Sequence, residues 1–243
     1  MTRILIWNEF RQEKNNEKVA AVYPNGIHEV LASFLKENRE NVVRTATLDE
    51  PECGLTEEIL NETDVLLWWG HKFHQEVPDQ IAERVRARVN SGMGFIALHS
   101  AHESKPFKLL MGTSCSLKWR VAGEKERAWN ISPQHPIARG VGEYFELPHS
   151  EMYGERFDVP KPDDVIFISW YAGGNVMRTG CTWQRGNGKI FSFLPGHETY
   201  PIYYDKNVQQ VIKNAVEWCK PQIFQQFSCP KVVPLEKIEI IED

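Results

Sequence analysis

Gly94-Phe95-Ile96-Ala97-Leu98-His99-Ser100-Ala101-His102-Glu103-Ser104 is the stretch whose reading decides the fold. Its first half is a short apolar run behind Gly92 and Gly94, the pattern of a strand buried on both faces. Its second half turns polar and carries two histidines three residues apart. Ligands bind beyond the carboxyl ends of strands in an open parallel sheet, so His99 stands where chemistry belongs. A helix starting at Ser100 would bring His99 and His102 toward one face.

Working outward, the first half of the chain repeats this grammar. Arg3–Asn8, Asn41–Thr47 and Asp64–Trp69 read as strands. Between them lie helical stripes at Ile27–Leu35, Thr56–Leu60 and Pro78–Val89, the second capped by Thr56. Glu9–Lys18 reads as a polar loop. Alternating strands and helices of this kind build a parallel sheet with helices on both faces. The expected class is therefore α/β, a three-layer α/β/α arrangement around a mostly parallel sheet.

The second half is less regular. Gly112–Trp129 carries no clear period and stays unassigned. Glu143–Leu147 and Asp164–Trp170 read as strands. Met177–Gln184 and Lys189–Leu194 flank Arg185-Gly186-Asn187-Gly188, a strong hairpin signal. The stripe from Val208 to Cys219 is a last helix, stopped by Pro221. One domain is expected through residue 220. Residues 221–243 then form an arm that packs on a second subunit or docks as an ordinary terminus. A homo-oligomer is the expected state.

Composition narrows the function. A net charge of -5 argues against nucleic acid and anionic membranes as partners. No apolar run approaches the roughly 20 residues of a membrane span. The five cysteines show no metal-knuckle or redox spacing, which fits a reducing cytoplasm. The first strand is not followed by a Gly-x-Gly-x-x-Gly turn, so no nucleotide cofactor is expected.

Four polar clusters follow apolar segments: Gly70-His71, His99 with His102, His149-Ser150-Glu151-Met152-Tyr153, and Gly196-His197-Glu198. Neutral imidazole is both a proton shuttle near pH 7 and the commonest metal ligand. His71, His149 and His197 are the candidate ligands of a divalent metal, zinc first, because a catalytic zinc takes three protein ligands and one open position. His99, Glu151 and Tyr153 are the candidate catalytic groups, with Glu151 as general acid or base. Trp68, Trp69 and His102 are expected to contact substrate, the indoles against a sugar ring. His28 and His135 read as structural, His74 as solvent-exposed, Glu198 as a cap, and Cys115 as an inert thiol.

Trp7-Asn8-Glu9-Phe10, Tyr23-Pro24-Asn25-Gly26-Ile27-His28, Leu98-His99-Ser100-Ala101, His135-Pro136-Ile137, Glu151-Met152-Tyr153 and Gly196-His197-Glu198 together resemble the ThuA-like, trehalose-utilisation family. The resemblance runs from about Arg3 to Lys220. It implies a flavodoxin-like fold similar to class I glutamine amidotransferases, and it adds Asn8 and Glu9 to the substrate-contacting set. In those amidotransferases the strand corresponding to Gly94–Leu98 ends at a nucleophilic cysteine. Here His99 stands there, so amidotransferase chemistry is expected to be absent. The implied role is disaccharide catabolism on a carbohydrate or its keto derivative, with an enzyme as the first expectation. A non-catalytic carbohydrate-binding or regulatory module, or a metal-dependent hydrolase of another small polar substrate, are the alternatives.

Overall fold

The structure, a computed structural model, describes residues 1–226 and 228–239. A nine-stranded sheet runs through the protein in the order β2-β1-β3-β4-β9-β8-β7-β5-β6. The strands are β1 (Thr2–Asn8), β2 (Asn41–Thr47), β3 (Val65–Trp69), β4 (Gly94–Leu98), β5 (Lys118–Asn130), β6 (Tyr144–Gly154), β7 (Asp164–Tyr171), β8 (Val176–Arg185) and β9 (Gly188–Phe193). The helices are α1 (Gln12–Asn15), α2 (Glu17–Val22), α3 (Ile27–Leu35), α4 (Glu57–Asn61), α5 (Asp79–Ser91), α6 (Lys105–Met111) and α7 (Lys206–Cys219).

The apolar runs form the middle of the sheet, as burial demands. Every residue of β3 and β4 is buried. Two apolar layers cover the faces. One joins α3 and α7 to Ile6, Leu67, Ile96 and Phe191. The other joins α5 and α6 to Leu5, Leu66, Phe95 and Ile190. The three-layer α/β/α class therefore holds, but the sheet is not mostly parallel. Its four pairings from β2 to β9 are parallel and its four from β9 to β6 are antiparallel.

The second half departs from the sequence reading for a physical reason. Gly112–Trp129 contains most of β5, a long half-exposed strand whose two faces carry polar and apolar groups in no clean alternation. Glu143–Leu147 is only the start of β6, which continues to Gly154. Glu9–Lys18 is not all loop, because α1 and the start of α2 lie in it.

Chain order sets the site. From β1 the chain steps to β2 at one side and then to β3 at the other. Such a reversal opens a crevice at the carboxyl ends of β1 and β3. β4 and β9 end beside it, which brings Glu9, His71, His99 and His197 toward one rim.

Trp68 and Trp69 belong to this framework and not to a binding surface. Both are wholly buried; Trp68 stacks on Trp7 at 4.0 Å, and Trp69 donates its indole N–H to the Gly196 carbonyl at 3.2 Å. The expected contact of these indoles with a sugar ring fails because apolar layers cover both faces of β3. Trp68→Ala should therefore cost about 3–5 kcal/mol of unfolding free energy. A urea titration checks this; a loss below 1 kcal/mol would mean the indole is not a core element.

Candidate functional site

β4 ends in an abrupt turn. Leu98 is extended, but His99 has φ +51°, a left-handed conformation that a non-glycine residue adopts at a cost. A short 3-10 turn, His99–Glu103, follows in place of the helix expected at Ser100. The turn aims the His99 ring back over the sheet edge, where Nδ1 donates to the Leu194 carbonyl at 2.8 Å. That bond places a proton on Nδ1 and leaves Nε2 facing the crevice. Gly196 fits against the elbow only because it has no side chain. A Cβ there would lie 2.1 Å from the Tyr203 hydroxyl and 3.0 Å from the His99 Cβ.

Around Nε2 of His99 the other groups converge. Glu151 Oε2 lies 3.1 Å away and the Tyr153 hydroxyl 3.3 Å away, with the Tyr153 ring stacked on the imidazole. The N–H is not aligned with Glu151 Oε2, so the pair is an ion contact and that oxygen keeps no hydrogen-bond partner. His197 Nε2 lies 3.9 Å from the same oxygen. His71 reaches in from the loop after β3, its Nε2 3.6 Å from Glu198 Oε1. The three imidazole centroids are 5.5–5.9 Å apart. Glu198 Oε2 is likewise buried and unpartnered. Two buried carboxylates, each with a spare oxygen, thus face three imidazoles.

Supporting bonds set the proton positions. His71 Nδ1 meets Ser100 Oγ at 2.8 Å, and Ser100 Oγ meets the Tyr153 hydroxyl at 2.7 Å. His197 Nδ1 accepts the backbone N–H of Thr199 at 3.2 Å. A neutral His197 therefore carries its proton on Nε2, toward Glu151. Glu9 holds the His71 loop: its carboxylate accepts the backbone N–H groups of His71, Lys72 and Phe73 at 2.7–3.0 Å.

Burial lowers the pKa of His71 to about 3, and of His197 and His102 to about 4. Burial also acts to lower His99, but the Glu151 carboxylate reverses this and holds it above the usual value. Burial pushes Glu151 up, yet the His99 contact outweighs it and the net shift is down. Both directions describe one pair, imidazolium beside carboxylate. Burial raises Glu198, and keeps the Tyr153 hydroxyl protonated.

The expected residues separate into two groups. His71, His99, Glu151, Tyr153 and His197 come together. His149 does not. Between the pairs Glu126↔Leu147 and Glu124↔Ser150, β6 spends three residues against two of β5, a bulge at Pro148–His149. The bulge turns His149 to the exposed side, against the Gly123 carbonyl at 3.0 Å, and removes it from any common ligand set. His102 is spent on the Cys115 carbonyl and packs edge-on to Tyr153. Asn8 bonds Glu13, His28 and the Phe10 N–H, and Glu9 is occupied by backbone, so neither offers a sugar a free atom. His74 is buried rather than exposed. Glu198, read from the sequence as a cap, instead faces His71, and Ser100 went unweighted although it adjoins His99.

A divalent ion fits part of this set. His71, His99 and Glu198 offer ligand atoms within 4.8 Å of one another. The Nδ1 atoms of both histidines are anchored, which is how metal-bound imidazoles are oriented. His197, with its Nε2 proton, falls outside that set.

A cavity of about 770 Å³ lies elsewhere, bounded by Asn61, Arg84, Arg88 and Phe224. Arg84 pairs with Glu52 and Arg88 lies over the Phe224 ring, so these two arginines are already engaged. The converging carboxylates and imidazoles, and not this cleft, make the candidate site.

The sheet and its flanking helices have the glutamine amidotransferase-like fold. A glutamine amidotransferase from Thermotoga maritima has this fold at 10% identity and a TM-score of 0.50, over 90% of this chain and 97% of that one. The sequence matches the ThuA family, described as trehalose utilisation, over residues 3–219, and the chain belongs to that family. A ThuA-like protein from Parabacteroides merdae is similar at 15% identity and a TM-score of 0.68, covering 93% of this chain and 92% of that one. A cytoplasmic protein of Salmonella typhimurium is similar at 13% identity and a TM-score of 0.57, covering 90% and 99%. Curated proteins yielded no match. Among the described residues no helix is long and apolar enough to cross a membrane.

Four buried histidines (His71, His74, His102 and His197) have folded pKa values of about 3 to 4. The unfolded chain binds their protons from about pH 6.5 downward, so folded stability is present above that pH and lost as pH falls toward 4. Urea unfolding should show a loss of at least about 2 kcal/mol between pH 7 and pH 5. An unchanged midpoint across that window would contradict neutral burial of these rings.

Proposed function

We propose that this protein is an enzyme of disaccharide utilisation that moves a proton on a carbohydrate, an oxidised keto disaccharide included, at the His99–Glu151 pair. The single observation behind this reading is that pair: an imidazole 1% exposed, held on a left-handed elbow, with Nε2 3.1 Å from a carboxylate oxygen that has no aligned hydrogen bond. Elbow conformations persist where surroundings over-determine them, which is common at active sites.

The chemistry follows from the two protonation states. A keto group acidifies the adjacent C–H, and Glu151 Oε2 is placed to accept that proton. The imidazolium of His99 then donates to the developing oxyanion, and His197 Nε2–H steadies Glu151. Tyr153, protonated at neutral pH, adds a donor beside His99. His99 occupies the elbow in place of a thiol, and burial holds the Cys115 thiol at about 11, so thiol-based amide transfer has no candidate nucleophile at this edge. A cytoplasmic location accords with this role and with the description of the Salmonella relative.

A second reading has its own support. The two spare carboxylate oxygens and the anchored imidazoles suit a zinc-type ion held by His71, His99 and Glu198, which would polarise a substrate oxygen. The protein would then be a metal-dependent hydrolase of a small polar substrate.

Glu151→Gln and His99→Ala should each lower turnover of a keto derivative of trehalose by at least about 100-fold. Melting temperatures should stay within a few degrees of the parent. Full turnover in both variants would eliminate the pair. Elemental analysis of untagged protein separates the readings. About one zinc per chain, lost in His71→Ala, supports the metal centre; less than about a tenth of an ion per chain counts against it.

A further inference from the structure

The site already described has a wall that no group in it explains. β5 runs beside two rings of the site. At one end Trp119 pairs directly with Tyr153, whose ring lies on His99. At the other, Gly123 abuts Tyr200, whose ring lies 5.4 Å from that of His197. A Cβ at Gly123 would sit 3.0 Å from the Tyr200 hydroxyl, so the strand approaches closely there.

Directly paired residues share a face of the ladder, and side chains repeat every second residue along a strand. Trp119 therefore points to the side of Tyr153. Arg120 points the other way, to Glu124 and Asn175. Yet Trp119 is 67% exposed and Val121 53% exposed. Trp7, Trp68, Trp69 and Trp183 are buried in the core, whereas Trp119 is left at this rim.

We propose that Trp119 is the platform for the non-reacting ring of a disaccharide whose other ring lies at His99 and Glu151. This rests on the carbohydrate reading of the site. A pyranose presents an apolar C–H face and a polar rim of hydroxyls. Such a face on an indole removes apolar surface from water while the hydroxyls stay wet. The platform would give a preference for two rings over one, since only the second ring reaches it.

The test uses full-length protein and calorimetry with trehalose and, separately, glucose. Trp119→Ala should weaken trehalose binding by about tenfold or more, while glucose binding stays within about twofold. Trp119→Tyr should restore most of the trehalose affinity. Trehalose affinity unchanged in Trp119→Ala, with the parent binding trehalose, would overturn the platform and leave the site standing. A parent that binds neither sugar would overturn both. Light scattering on the same samples decides the remaining case. If Trp119→Ala loses a subunit contact and keeps its sugar affinity, the indole belongs to an interface between copies, and the platform is wrong.

Discussion

One hydrogen bond, from His99 Nδ1 to the carbonyl of Leu194, organises the functional edge of this protein. It joins the end of β4 to the end of β9, the last parallel neighbour in the sheet. It selects the tautomer of His99 and directs Nε2 into the crevice. It also requires the left-handed backbone at His99 and the bare Gly196 beside it. The catalytic reading, the metal reading and the stacking of Tyr153 on His99 all presuppose that orientation.

Around this bond the site is layered. Glu9 gathers three backbone N–H groups and holds the His71 loop, and Ser100 links His71 to Tyr153. These groups position others; they face no substrate themselves. The antiparallel half of the sheet contributes Glu151 and Tyr153 from β6, and β5 pairs beside them. The parallel half thus supplies the imidazoles, and the antiparallel half supplies the carboxylate partner and a rim. Burial of both at the junction explains why His71 and His197 stay neutral, while the pKa of His99, alone in touching Glu151 at 3.1 Å, is held above its usual value.

The chain's local grammar made the parallel half legible. Apolar runs such as Val65–Trp69 and Gly94–Leu98, separated by amphipathic helices, admit few arrangements, and the strands appear where the runs are. Convergence of His71, His99 and His197 was legible for the same reason, since each ends or follows such a run. The misses have one cause. Whether a side chain is free depends on partners remote in sequence. Asn8 is used up by Glu13 and His28, and Glu198 is aimed at His71 from 127 residues away. The bulge that expels His149 arises from the pairing of β6 with β5, and β5 gives no period of its own.

By itself the sequence determined the α/β class, the family and the residue types available at the sheet edge, because burial periodicity and motif spacing are local properties of the chain. The tertiary structure alone decided that the sheet is half antiparallel, that Trp68 and Trp69 are core while Trp119 stands exposed at the rim, and which imidazole nitrogen faces Glu151. Those outcomes are set by register, by the close approach of backbones and by hydrogen bonds between distant segments, and none of these has a signature within a single stretch of chain.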